Sequence, residues 1–364
     1  MKPSILLIDD RKDLLSQLIG ALRAQLTDED VDIRDWTPTN EDKDAYGSFK
    51  SRVDENTVLV VTDLDLTGQG QLGLFGTTIV AWCQTEHIPV ADFSRGKVGS
   101  LPKEPNLFEL RVPSDPETAA PAIAALYRGF EGIRRSLRAK PQIIENRRSP
   151  AAVLSEVLGV PSSESQFALY GLRLGTANAS LMEEMAGAAP DDRPTTAEKG
   201  ALLGYIIGHL LLNAVLRFPG PILSTPALMA YVACGEPETA PVSEIFANAK
   251  YSGPFSELEP YFWLTKVDET LEQLSKKVAP DSSSETTGGF NRTVLESVLG
   301  RTLKRHECDR CKGENGGFYC PFTRRTVCVR PDCSVGSNSW IPQGAKICRI
   351  ERDFYEEWSP ILGL

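Results

Sequence analysis

At 364 residues the chain is longer than one typical domain, and 41% hydrophobic with 24% charged residues is the balance of a folded globular protein, not of a disordered one. The start, Met1-Lys2-Pro3 leading into an apolar run, lacks the regions of a secretory signal, so a cytoplasmic protein is expected. The formal charge of -10 is uneven: residues 301–352 hold 11 Lys and Arg against 5 Asp and Glu, so nucleic acid is a candidate partner only for that basic tail.

In chain order, Ser4–Ile8 is an apolar strand ending in Asp9-Asp10. Leucines at 14, 15, 18, 22 and 26 with Ile19 then mark an amphipathic helix. Val31–Trp36 is a second strand, and Thr57–Thr62 a β-branched run of the fully buried type that ends at Asp63. Gly73–Gln84 is a helix, Ile88–Phe93 a fourth strand, Leu107–Val112 a fifth and Pro116–Leu137 a long helix. Strands alternating with helices imply an α/β fold with a parallel sheet covered on both faces. A polar, basic linker is read at 140–148, before a helix that Ser149-Pro150 opens.

From there to about residue 278 the readable segments are helical. The apolar run Ala201–Leu216 carries His209 and Asn213 and is short for a membrane span, so it is read as a buried core helix, with His209 a satisfied core histidine and no membrane partner. Cys83 and Cys234 read as buried thiols, and the Ser-rich stretch 279–289 as a second linker.

In open parallel sheets, active groups gather at the carboxyl ends of strands. Asp9-Asp10 and Asp63 stand at two such ends, Ser94 at a third and Arg111 near a fourth. The succession ILLIDD, VVTDLDLTG and PVADFS resembles response-regulator receiver domains over about residues 1–135. The resemblance implies a receiver-like, flavodoxin-like fold. It further implies that Asp9, Asp10 and Asp63 hold magnesium, that Asp63 accepts a phosphoryl group from a histidine kinase or phosphotransfer protein, and that Ser94 hydrogen-bonds that group.

Two features depart from the family pattern. Arg111-Val112-Pro113 stands where receivers carry a Lys before Pro, so Arg111 is the candidate phosphate cation with a different geometry. Residues 95–106, with two Gly and two Pro, stand where the fourth helix is usual, so that helix is expected to be missing and the output surface to differ.

A second resemblance competes with this one. Asp63-Leu-Asp65-Leu-Thr67 matches the nucleophile motif of haloacid-dehalogenase-type phosphatases, with Asp63 as nucleophile and Asp65 as acid/base. That family puts its first motif on the opening strand and its acidic pair downstream, whereas Asp9-Asp10 lies upstream and Asp191-Asp192 falls in a Pro-flanked loop.

The tail carries Cys308-x2-Cys311 and Cys328-x4-Cys333, two close pairs a hairpin's length apart, which suits a tetrahedral zinc on a zinc-ribbon-like hairpin around Phe322-Thr-Arg-Arg325. Cys320, Cys348 and His306 are further ligand candidates. Four thiolates leave no open position, so the zinc is expected to be structural. Arg324 and Arg325 at the tip could meet phosphates, while Trp340, Phe354, Tyr355 and Trp358 could pack the module or stack on bases.

The expectation is therefore a regulatory, non-enzymatic protein of three parts. These are a receiver-like α/β domain over 1–138, an all-α domain over 149–278, and a small zinc-binding module over 290–364 that contacts a protein or nucleic acid. The alternatives are a scaffold whose receiver is never phosphorylated, and the phosphatase.

Overall fold

The computed structural model describes residues 2–39, 44–67, 74–93, 110–146, 149–171, 195–277, 286–313, 317–336 and 339–359. The chain divides into two compact units. The first comprises residues 1–160, 176–209 and 253–258, the second residues 161–175, 210–252 and 259–364. The stretch read as an all-α domain over 149–278 is thus shared between the two units, and the cysteine-rich tail belongs to the second.

The first unit is an α/β fold. Strands β1 (Ser4–Ile8), β2 (Asp32–Trp36), β3 (Thr57–Thr62), β4 (Val90–Asp92) and β5 (Leu110–Arg111) form one parallel sheet in the order β2-β1-β3-β4-β5. Every residue of β1 and β3 is buried, as strands covered on both faces require. Their side chains alternate between two cores. Leu6, Ile8 and Val60 pack with Trp36, Phe49, Ile79 and Cys83, which puts α2 (Ala45–Lys50) and α3 (Gly76–Thr85) on one face.

Ile5, Leu7, Leu59 and Val61 therefore turn to the opposite face, where α1 (Lys12–Gln25) and α4 (Pro116–Ala139) pack together. Asp115 caps α4 by accepting from Thr118 N at 3.1 Å, with Pro116 supplying the first-turn φ.

Two later segments complete this unit. Helix Thr196–Leu210, part of it through His209, sets the Tyr205 and His209 rings 4.5 Å apart and the His209 ring 5.1 Å from Phe130 of α4. His209 is fully buried with Nδ1 2.8 Å from Tyr205 O, so its burial is as read for a core histidine, while its Nε2 has no hydrogen bond to match that of Nδ1. The segment 253–258 inserts Phe255, at φ 66°, against α4, where a Cβ on Gly129 would overlap the Phe255 ring.

The second unit mixes helices with short antiparallel pairs. Ile222–Ser224 pairs with Tyr261–Trp263, so the middle is not all-α. These strands have three residues each and are mostly buried, and a segment that short shows no alternation to read. Leu228, Val232, Phe246, Phe262, Val294 and Leu303 pack with Tyr319 in one core, so the cysteine-rich hairpin shares the helical core instead of standing apart. Trp340 is buried, and the Phe322 and Phe354 rings stack 4.9 Å apart, so these aromatics pack the tail.

Other differences are local. The stretch 140–148, read as a linker, contains helix Pro141–Asn146, whose two adjacent isoleucines give no helical period. The apolar run ends its α-helix at Leu210 and continues as a π-helical turn, Leu211–Val215. Ser94, the expected missing helix at 95–106, Asp191 and Asp192 lie outside the described residues. Among the described residues no helix is long and apolar enough to cross a membrane.

Candidate functional site

Two groups of side chains among the described residues come close enough to share a metal ion. They are Asp9, Asp10 and Asp63, and Cys308, Cys311, Cys328 and Cys333. Within each group one ligand atom per residue lies within 4.8 Å of the others.

The acidic group follows from topology. β1 leads leftward to β2, whereas β3 leads rightward to β4 and β5, so the strand order reverses between β1 and β3. Loops leaving adjacent strands in opposite directions open a crevice at their carboxyl ends. Asp9 and Asp10 follow β1, Asp63 follows β3, and Asp63 N donates to Ile8 O at 3.0 Å, which joins the two strand ends.

Asp9 and Asp10 are 3% and 6% exposed. Asp9 Oδ1 accepts from Arg11 N at 2.7 Å, while Oδ2 is buried with no hydrogen-bond partner. Burial foremost pushes the Asp9 carboxyl up to about 6. The charges of Asp63 and Asp10 add to the rise, against the lowering bond from Arg11 N. Asp63 Oδ1 accepts from Leu64 N at 2.8 Å, and burial raises its pKa, with Asp10, Asp92 and Asp65 adding to the rise. A largely buried, like-charged cluster with an orphaned carboxylate oxygen fits a hard divalent cation, which would supply the charge and the ligand bonds that are missing.

The loop after Asp63 is held against it. Gly76 N donates to Leu64 O at 2.8 Å, and a Cβ on Gly76 would overlap the Asp63 carbonyl oxygen. Asp65 is exposed and accepts at Oδ1 from Thr67 N and Oγ1, at 3.1 and 2.6 Å, bonds that hold its pKa down.

The remaining candidates are placed differently. Arg111 is exposed on β5, and with β4 intervening it starts two strand spacings, ~10 Å, from β3. At the end of β4, where the sequence pattern points to the hydroxyl of Ser94, stands also Asp92, which pairs in register with Thr62 on one side and Arg111 on the other. An acid at the end of an apolar strand was the available signal.

The thiol group is assembled from two loops. In the first, Lys312 N donates to Cys308 O at 2.8 Å and Cys308 N to Gly313 O at 3.0 Å, with Lys312 in the left-handed region at φ 54°. In the second, Cys333 N and Ser334 N share Arg330 O, and Ser334 Oγ donates to Cys328 O at 2.5 Å. Hairpin Phe318–Tyr319 and Thr326–Val327 joins them, because Asp309 and Thr326 exchange bonds of 3.0 Å.

Cys311 Sγ and Cys328 Sγ stand 3.8 Å apart. Thiolates ~2.3 Å from a tetrahedral zinc are ~3.8 Å from one another, so the set fits that ion. Cys320 and Cys348 are buried elsewhere, Cys320 Sγ accepting from Glu351 N at 3.3 Å and Cys348 Sγ lying 3.8 Å from Pro219 O. His306 Nδ1 accepts from Gly317 N at 2.7 Å, and burial lowers its pKa to about 4.

Four arginines of the tail have acidic partners. Arg324 meets Glu259 at 2.5 Å, Arg325 meets Glu351 at 3.1 Å, Arg310 meets Asp353 at 2.6 Å and Arg301 meets Glu238 at 2.6 Å. No protein family, curated protein or solved structure compared with the chain matches it.

Proposed function

We propose that the chain is a response-regulator-like signalling protein. In this reading the first unit is a receiver-like domain phosphorylated on Asp63, and the second is an output unit built around a structural zinc. The observation that carries it is the convergence of Asp9, Asp10 and Asp63 at the reversal point of a parallel sheet ordered 2-1-3-4-5, with Asp9 Oδ2 buried and unpartnered.

Asp63 attacks the phosphorus of a phosphohistidine on a kinase or phosphotransfer protein, its P–N bond breaks as the acyl phosphate forms, and the freed imidazole takes a proton. A magnesium ion held by Asp9, Asp10 and Asp63 would neutralise charge on the transferring group. Leu64 N, already on Asp63 Oδ1, and Gly76, packed on the Asp63 carbonyl, fix the acceptor's direction.

Cys308, Cys311, Cys328 and Cys333 hold zinc with no open position, which stabilises the hairpin instead of serving catalysis. A protein is the favoured output partner, because Arg324, Arg325 and Arg310 are committed to acids and phosphate contact would have to displace those pairs. The phosphatase reading is less well supported, since a general acid needs a carboxyl held protonated and Asp65 is exposed with its pKa lowered.

The test is intact-mass spectrometry after incubation with magnesium and acetyl phosphate. The reading expects one phosphoryl group on the wild type and none on Asp63→Asn. No gain in either leaves the unphosphorylated scaffold, and sustained release of inorganic phosphate would favour the phosphatase.

A further inference from the structure

Beside the acidic group stands a further carboxylate, Asp92, whose charge acts on Asp63 and which the receiver resemblance does not assign. β4 pairs with β3 so that Asp92 stands in register with Thr62, one residue before Asp63, and Phe93 N donates to Thr62 O at 2.9 Å, which fixes that strand end. Neighbouring parallel strands lie ~4.8 Å apart, so Asp92 is set one strand away from the acceptor's strand. It is also the residue that β4 places in register between Thr62, next to the acceptor, and Arg111 on β5.

A phosphoryl group brings about two negative charges to Asp63. A divalent cation brings two positive ones. A fixed carboxylate one strand away acts on these with opposite sign, and across a partly buried edge such an interaction is several times stronger than in bulk water. The buried, unpartnered Asp9 Oδ2 gives the cluster an independent need for a cation.

Resting on the receiver reading of this site, we propose that Asp92 is its charge-selectivity residue. It tightens divalent cation binding and opposes phosphoryl transfer to Asp63 from an anionic donor, partly by offsetting the charge of Arg111, its register partner on β5. The consequence is a site loaded with cation well before it is loaded with phosphate, with a deliberately low level of phosphorylation at rest.

The test compares wild type with Asp92→Asn, which keeps size and removes charge, and with Arg111→Ala. Manganese binding is followed by paramagnetic relaxation, and phosphorylation by intact mass during incubation with acetyl phosphate. Asp92→Asn is expected to weaken manganese binding roughly three- to tenfold and to speed phosphorylation by a similar factor, as removal of one nearby charge predicts. Arg111→Ala should slow phosphorylation less in the wild type than in the Asp92→Asn background.

A merely structural role would move both readouts the same way. Loss of both cation binding and phosphorylation in Asp92→Asn, or no change in either, overturns the proposal while a phosphorylated wild type keeps the receiver reading. A wild type that binds manganese but never gains a phosphoryl group overturns both.

Discussion

Gly76 lies directly against the backbone of Asp63, and any larger residue would drive a Cβ into the Asp63 carbonyl oxygen and to 2.8 Å from Leu64 Cα. Neither is a side chain that can swing aside. Gly76→Ala is therefore expected to destabilise the protein by about 2 kcal/mol and to weaken divalent cation binding by displacing Asp63. Gly20, exposed in α1 with nothing within 4 Å of its Cβ position, is the control: alanine there should be neutral or stabilising by about 0.5 kcal/mol. Urea midpoints that coincide for the two variants would sink this account.

The Asp9 carboxyl is raised from 3.8 to about 6. The native state then holds this proton more firmly than the unfolded chain does, so stability falls as pH rises from about 4 to 6 and stays low above that. His306, lowered from 6.5 to about 4, has the opposite slope, since the unfolded chain takes up its proton first and stability is lost as pH falls. The two offset each other in a wild-type curve, so a difference measurement is needed. Asp9→Asn should match wild type near pH 4 and exceed it by about 2 kcal/mol at pH 7.5 without divalent ions. Magnesium should close that gap by stabilising the wild type alone. A difference that stays flat from pH 4 to 7.5 would remove burial of Asp9 as the cause.

Native-mass measurement is expected to find one zinc per chain. Cys308→Ser and Cys333→Ser should lose it, and Cys320→Ser and Cys348→Ser should keep it, because those two sulfurs lie outside the cluster. Since Tyr319 of the hairpin sits in the second unit's core, chelation should cost that unit about 5 kcal/mol or more. Retention of zinc by Cys308→Ser would show that the ligand set is wrong.

With Arg324, Arg325 and Arg310 paired to acids, oligonucleotides at physiological salt should bind no more tightly than the non-specific range of about 10⁻⁴–10⁻⁶ M. Arg324→Ala, breaking a largely exposed pair with Glu259, should cost about 0.5 kcal/mol. Nanomolar binding that weakens steeply with salt would move the output reading to nucleic acid.

Features carried by local pattern were legible in the sequence. β1 and β3 are continuous apolar runs closed by acids, and the four clustered cysteines come as two short-spaced pairs. The Ile222–Ser224 and Tyr261–Trp263 strands have three residues each, too short to carry a period. Relationships over distance were not legible. Glu259 lies 65 residues from Arg324, so the tip arginines read as free cations until the fold brought their partners to them. The same holds for the membership of the first unit, because nothing local to Phe255 says that its slot is Gly129.

That slot has a consequence for synthesis on the ribosome. All five strands of the sheet are made by Arg111, and α4 by Ala139, yet the ring that fills the groove over Gly129, Phe255, emerges about 115 residues after Ala139. At about 5–20 residues per second the nascent sheet waits on the order of ten seconds with that face of α4 bare. The first unit is therefore the part expected to need chaperone cover during translation. A fragment ending at residue 160 should aggregate where the full chain does not, since it never receives Phe255 or the helix bearing Tyr205 and His209.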